Sequence, residues 1–120
     1  MSSSARSVFT SGIYHILLGG SLVIDPNFLL RLFGFPVTSE IWIRILGLAL
    51  LSIAFYDISA ARANLADFFR WSVLVRLPIV IFLGLFVAVG LVKTTAILFG
   101  IVELIGALWT AFALRSPEPV

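Results

Sequence analysis

Four apolar runs, at about 8–24, 41–58, 68–92 and 94–114, dominate the sequence and are separated by short polar breaks. A helix needs about 20 predominantly apolar residues to cross a bilayer, and each run is near or above that length. No other feature restricts the fold as strongly. Four such spans use roughly 80 residues, so a chain of 120 has room only for ends and tight connections. Composition agrees. Hydrophobic residues make up 61% of the chain and charged residues 12%, against about 45–50% and 25% in soluble domains. So few polar side chains cannot cover a soluble domain of this size, and the apolar excess excludes a disordered chain. The expected fold is all-α, an integral membrane four-helix bundle forming one domain over residues 1–120.

The breaks between the runs give the connections. A small polar tail precedes the first helix, and the segment Leu22-Val23-Ile24-Asp25-Pro26 offers no small-residue site for signal-peptide cleavage. Asp25-Pro26 reads as an N-cap followed by a proline at the first helical position. In the stretch it opens, Phe28, Leu29, Leu32 and Phe33 can share one face while Arg31 points to headgroups. Gly34 and Pro36 end it. This pattern predicts a short interfacial amphipathic helix between the first two spans. Thr38 or Ser39 is the expected cap of the second span, and the polar stretch Asp57 to Asp67 the expected second connection. Pro78 should kink or loosen the third span. Lys93-Thr94-Thr95 is a tight turn, and a tail follows Arg115. With an even number of spans, Arg6, Arg62, Arg70 and Arg115 share one side, while Arg31 and Lys93, with Arg44 nearby, occupy the other. The excess predicts that both termini are cytoplasmic.

Several chemistries are excluded. Cysteine is absent, so the chain has no disulfide, thiolate nucleophile or Cys-bound metal centre. Its basic residues are scattered singly, which speaks against a nucleic-acid partner. The sequence holds no HExxH, GxSxG, P-loop or dinucleotide fingerprint, so no catalytic residues can be assigned. One histidine and one buried glutamate are too few ligands for zinc, and no metal is expected. Trp42, Trp71 and Trp109 lie near helix ends and read as an interfacial belt.

An ionisable group inside a span costs roughly 2.5–3.5 kcal/mol on insertion scales, so each one needs a reason. His15, Arg44, Arg76 and Glu103 are the candidates. From a rise of about 1.5 Å per residue, Arg76 and Glu103 differ in depth by only roughly 6 Å, and His15 falls at a similar level. Glu103 shares a stripe with Ala96, Gly100, Ala107 and Thr110, and His15 with Ser11, Gly12 and Gly19. Such small residues admit a close neighbour. Arg44, Leu48, Ser52 and Tyr56 recur every four residues on the second span. Convergence of these stripes predicts an ion-pair or ligand pocket of Glu103, Arg76, Arg44, His15 and Tyr56, with Arg76 as partner of Glu103 and Arg44 as the alternative. Two arginines against one glutamate leave an unpaired positive charge for an anion, a lipid phosphate or a polar ligand head. The plainer alternative is structural: Arg76 and Glu103 neutralise each other, and His15 makes one interhelical hydrogen bond.

The connector DPNFLLRLFGFP, followed by WIRILGLALLSIAFYDISAAR, FFRWSVLVR and ILFGIVELIGALWTAFALR, resembles the DoxX-like group of small four-helix bacterial membrane proteins. The resemblance implies a bacterial inner-membrane location and an association with quinone-linked sulfur or thiol oxidation or with membrane oxidoreductase complexes. It carries no catalytic residue onto this chain, and without cysteine no thiol of this chain can take part. The expected role is a non-catalytic accessory subunit that docks or stabilises a larger membrane complex, with no cofactor of its own. Its expected partners are membrane lipids and other membrane subunits or further copies of itself. The alternatives are a lipid- or quinone-binding protein with a polar intramembrane pocket, and a small proton-coupled transporter titrating at Glu103.

Overall fold

The computed structural model describes residues 1–115; the expected tail beyond Arg115 lies outside the described residues. Among them there are five α-helices and no strand: α1 (Ser3–Ile24), α2 (Pro26–Leu32), α3 (Trp42–Arg62), α4 (Ala66–Ala88) and α5 (Ile97–Arg115), the last preceded by a 3₁₀ turn at Thr94–Ala96. The helices α1, α3 and α4 and the segment Thr94–Arg115 are each long and apolar enough to cross a membrane.

Local chemistry explains the boundaries. α1 starts before its apolar run because the Ser2 side chain caps it, accepting from the Ala5 amide at 3.1 Å. Asp25 caps α2 as expected, accepting from the Phe28 amide, with Pro26 in the first turn. α2 closes on Gly34 (φ +76°), with the Phe35 amide bonded to the Leu30 carbonyl at 2.8 Å. α4 stops at Ala88 instead of near 92 for the same reason: Gly90 takes φ +80° and the Leu91 amide reaches the Phe86 carbonyl at 2.9 Å. α4 runs through Pro78 as one helix.

Two expectations are corrected here. Neither Thr38 nor Ser39 caps α3, which begins without a side-chain cap; the Thr38 hydroxyl instead accepts from the Glu40 amide at 3.1 Å. The expected connection from Asp57 to Asp67 is mostly helix, because α3 continues to Arg62 and only residues 63–65 separate it from α4. Ala60 and Ala61, strong helix formers, are buried there against Ala5, Val8 and Phe69.

α1 is the centre of the arrangement. It packs most extensively on α3 and then on α5, while α4 packs on α5 and only lightly on α1. α3 and α4, although consecutive, share almost no contact. The spatial order is therefore α3–α1–α5–α4, an open bundle measuring 48 × 30 × 18 Å. Small residues set the close contacts. A Cβ on Gly47 would lie 2.7 Å from the Gly19 carbonyl oxygen, so α1 and α3 touch backbone to backbone. Ser7 and Thr110, both fully buried, share a 2.7 Å hydrogen bond between α1 and α5. Large aliphatic and aromatic side chains such as Leu17, Phe55 and Leu74 point outward, the inverse of a soluble bundle.

The ends are tied separately. Ser2 donates to Asn64 Oδ1 at 2.8 Å, joining the N-terminus to the α3–α4 turn. At the other end Thr95 donates to the Phe33 carbonyl at 2.6 Å, and the Phe33 and Phe99 rings lie 4.8 Å apart. The expected common face of α2 divides. Leu29 and Phe33 are half-buried, while Phe28 and Leu32 are exposed along with Arg31.

Gly47→Ala should destabilise the protein by about 1–3 kcal/mol, since the methyl forces two backbones apart. Gly84→Ala, where an added Cβ meets nothing within 4 Å, should be neutral or slightly stabilising. Thermal unfolding of both variants in one detergent checks the pair.

Candidate functional site

Three of the expected pocket residues converge midway along the helices, together with one that sequence reasoning assigned elsewhere. His15 sits on the small-residue face of α1, beside Ser11, Gly12 and Gly19, all buried. Its Nδ1 lies 2.9 Å from Asp57 Oδ2 on α3, and its Nε2 lies 2.6 Å from Glu103 Oε1 on α5. The other carboxylate oxygen of Glu103 accepts from Arg76 Nε on α4 at 3.0 Å. Arg76 Nη2 in turn donates to the Ser11 hydroxyl. Gly106 makes room for this contact: a Cβ there would sit 3.2 Å from both Arg76 Nη2 and Ser11 Oγ. The chain Asp57–His15–Glu103–Arg76–Ser11 thus links all four long helices.

The network is buried but not sealed. Side-chain exposure is 6–8% for Asp57, His15 and Arg76 and 19% for Glu103. Two donors in or beside it, Arg76 Nη1 and the hydroxyl of the neighbouring Tyr14, are buried without a hydrogen-bond partner among the described residues.

Proton counting fixes its charge. Each histidine contact faces a carboxylate, which in its ionised form only accepts, so each contact needs one proton. With both carboxylates ionised, His15 donates from both nitrogens and carries a positive charge. Two anions then face two cations, and the cluster is neutral.

This overturns the expected excess of positive charge. Asp57 supplies an anion that was not counted, and Arg44 is elsewhere. Arg44 donates to the Val23 and Ile24 carbonyls, where it satisfies orphan acceptors at the C-terminus of α1. Depth alone could not place it, because the stripe Arg44, Leu48, Ser52 and Tyr56 faces outward while Ile43, Gly47, Ala54 and Asp57 face inward. Tyr56 is 60% exposed and stays outside the hydrogen-bonded chain, at the edge of the adjoining cleft. The signal for Asp57 was available: Gly47, Ala54, Ala60 and Ala61 mark its face of α3 as the small one, as Gly100 and Ala107 mark that of Glu103.

Because α3 and α4 do not close on each other, a cleft of about 450 Å³ opens between them with the network at its floor. Its walls are apolar and aromatic, including Phe68, Trp71, Val75, Ile79 and Phe99. Trp71 therefore does more than mark a helix end. The volume falls within the range of small-molecule pockets, about 300–1,000 Å³. Among the described residues no group of three or more His, Asp or Glu side chains is arranged to hold a metal.

No family model, no curated protein and no solved structure matches this chain.

Removing one member of a buried ion pair strands its partner, at a cost of about 3–5 kcal/mol, whereas removing both can be nearly neutral. Glu103→Gln and Arg76→Gln should each lower stability more than the double substitution does. The same cycle between Glu103 and Arg44 should be additive, because Arg44 bonds only α1 carbonyls. Thermal or denaturant unfolding of the single and double variants measures both couplings.

Proposed function

We propose that this chain is an integral protein of the bacterial inner membrane, akin to the DoxX-like group, that holds a small amphipathic molecule in the cleft between α3 and α4. The observation that carries this reading is the cleft itself: apolar walls around a floor of four ionisable side chains. Each such group is expensive at this depth. A bundle needing only to hold itself together could pack the same positions with small apolar residues, as it does at Gly19 and Gly47.

A cleft between spanning helices opens sideways into the bilayer, so its occupant reaches it through lipid, with an apolar body on Val75 and Ile79 and a polar head at Glu103. A lipid, a quinone or another lipophilic molecule with a polar head meets that description. An accessory docking role draws support only from the exposed apolar faces, and lipid covers such faces equally well. Orientation follows from the arginine excess at the end shared by the termini and the α3–α4 turn, which puts α2 on the far side of the membrane with its exposed Phe28 and Leu32 at the interface.

Mass spectrometry of the protein extracted in mild detergent should find a stoichiometric amphipathic molecule. An Ile79→Trp variant, which fills the cleft from α4, should lose it. Equal retention by both proteins would place the molecule elsewhere and refute the reading. Independently, a reporter fused after Val120 should read cytoplasmic and one inserted at Thr94 external; the opposite pair would invert the topology.

A further inference from the structure

The cleft's occupant can be specified further from the charges on its floor. The fixed charges that face the cleft are Asp57 on α3, Glu103 on α5 and Arg76 on α4, and α1 contributes His15 and the hydroxyl of Tyr14. Asp57, Glu103 and Arg76 sum to one net negative charge. Arg76 is already counted in that sum; its Nε bonds Glu103 and its Nη2 bonds Ser11, while its Nη1 has no partner among the described residues. One further positive charge is needed to make the site neutral in a low-dielectric layer, where an uncompensated charge is costly. A proton on His15 supplies it. A cation in the cleft could supply it instead, and the two exclude each other, because both together would leave the site with an excess positive charge.

The cleft is built for the second option as well. Glu103 is the most exposed member of the network, so its carboxylate is the group a ligand head meets. Phe99 lies one helical turn from Glu103 on the same helix, and Trp71, Phe68 and Tyr56 line the same cleft. Aromatic faces attract cations whose hydration has been stripped away. A neutral head draws less from this aromatic wall and leaves the negative charge for His15 alone to balance.

Resting on the cleft reading above, we infer that the site takes a hydrophobic cation, an aromatic or alkyl amine or onium ion, in exchange for the proton shared by His15 and Glu103. The exchange breaks no covalent bond between heavy atoms. As the cation settles against Glu103, the imidazole gives up one proton to the aqueous phase, keeps its Nδ1–H on Asp57 and releases Glu103 Oε1 to the ligand. The reverse step returns the proton and expels the cation. A carrier of this kind couples cation movement to protons without any cofactor.

Titration calorimetry of the full chain in detergent, with tetraphenylphosphonium as the probe, tests this. Runs at one pH in buffers of different ionisation enthalpy report the number of protons released. Saturable binding with about one proton released is expected, with triphenylphosphine oxide, a neutral analogue, binding at least tenfold more weakly. Trp71→Ala should weaken tetraphenylphosphonium about tenfold with unchanged thermal stability, since Trp71 is 62% exposed. Glu103→Gln should abolish proton release; if that variant fails to fold, the buffer series on the unaltered chain and Trp71→Ala decide the question. Binding without proton release overturns the exchange. Equal or tighter binding of the neutral oxide overturns the cationic head while leaving the cleft reading intact. Binding of neither probe overturns this inference, and retention of a native molecule by the unaltered chain but not by Ile79→Trp then upholds the cleft alone.

Discussion

His15 joins three helices through one ring. Its two nitrogens reach Asp57 on α3 and Glu103 on α5, and Glu103 passes the connection to Arg76 on α4. In an apolar surrounding these contacts have no water to compete with them, and a stranded member carries the full penalty of an unpaired charge. The network therefore dictates more than its own geometry. It fixes the rotation of each long helix about its axis, because only one face of α1, α3, α4 or α5 can present its member to the others.

Close approach is the second requirement, and the small residues meet it. Gly19 against Gly47, and Gly12 against Asp57 and Ile58, bring α1 and α3 near enough for His15 to reach Asp57 directly. Gly106 does the same for the meeting of Arg76 with Ser11. α4 receives no such treatment from α3, so the bundle is tight along α3–α1–α5 and open beside α4. That asymmetry produces the cleft. A fully closed bundle with the same ion network would bury Glu103 completely and leave no route to it.

Much of the site was legible because ionisable residues stand out in apolar runs. His15, Arg76 and Glu103 were conspicuous by type, and the small residues around His15 and Glu103 marked their inward faces. Arg44 was equally conspicuous but misplaced, since a position along a helix gives depth and not direction. Asp57 was hidden for a different reason. It stands where polarity rises toward the α3–α4 turn, and a local reading ends the span there. The helix continues because Ala60 and Ala61 pack against α1 and Phe69, contacts that lie far away in sequence. The break at 90 is the converse case, where a glycine in left-handed conformation stops α4 before its apolar run ends.

Local sequence was enough to give the number of long helices, their apolar character, the helix opened by Asp25-Pro26 and the small inward faces of α1 and α5. Each depends on local composition or on spacing within one helix, where the physics is short-ranged. Which carboxylates share His15, which arginine is free to join them, and the cleft between α3 and α4 were settled only by the tertiary structure. These depend on the relative rotation and order of four helices, and the balance of a few buried charges selects one arrangement among many that the apolar pattern alone permits.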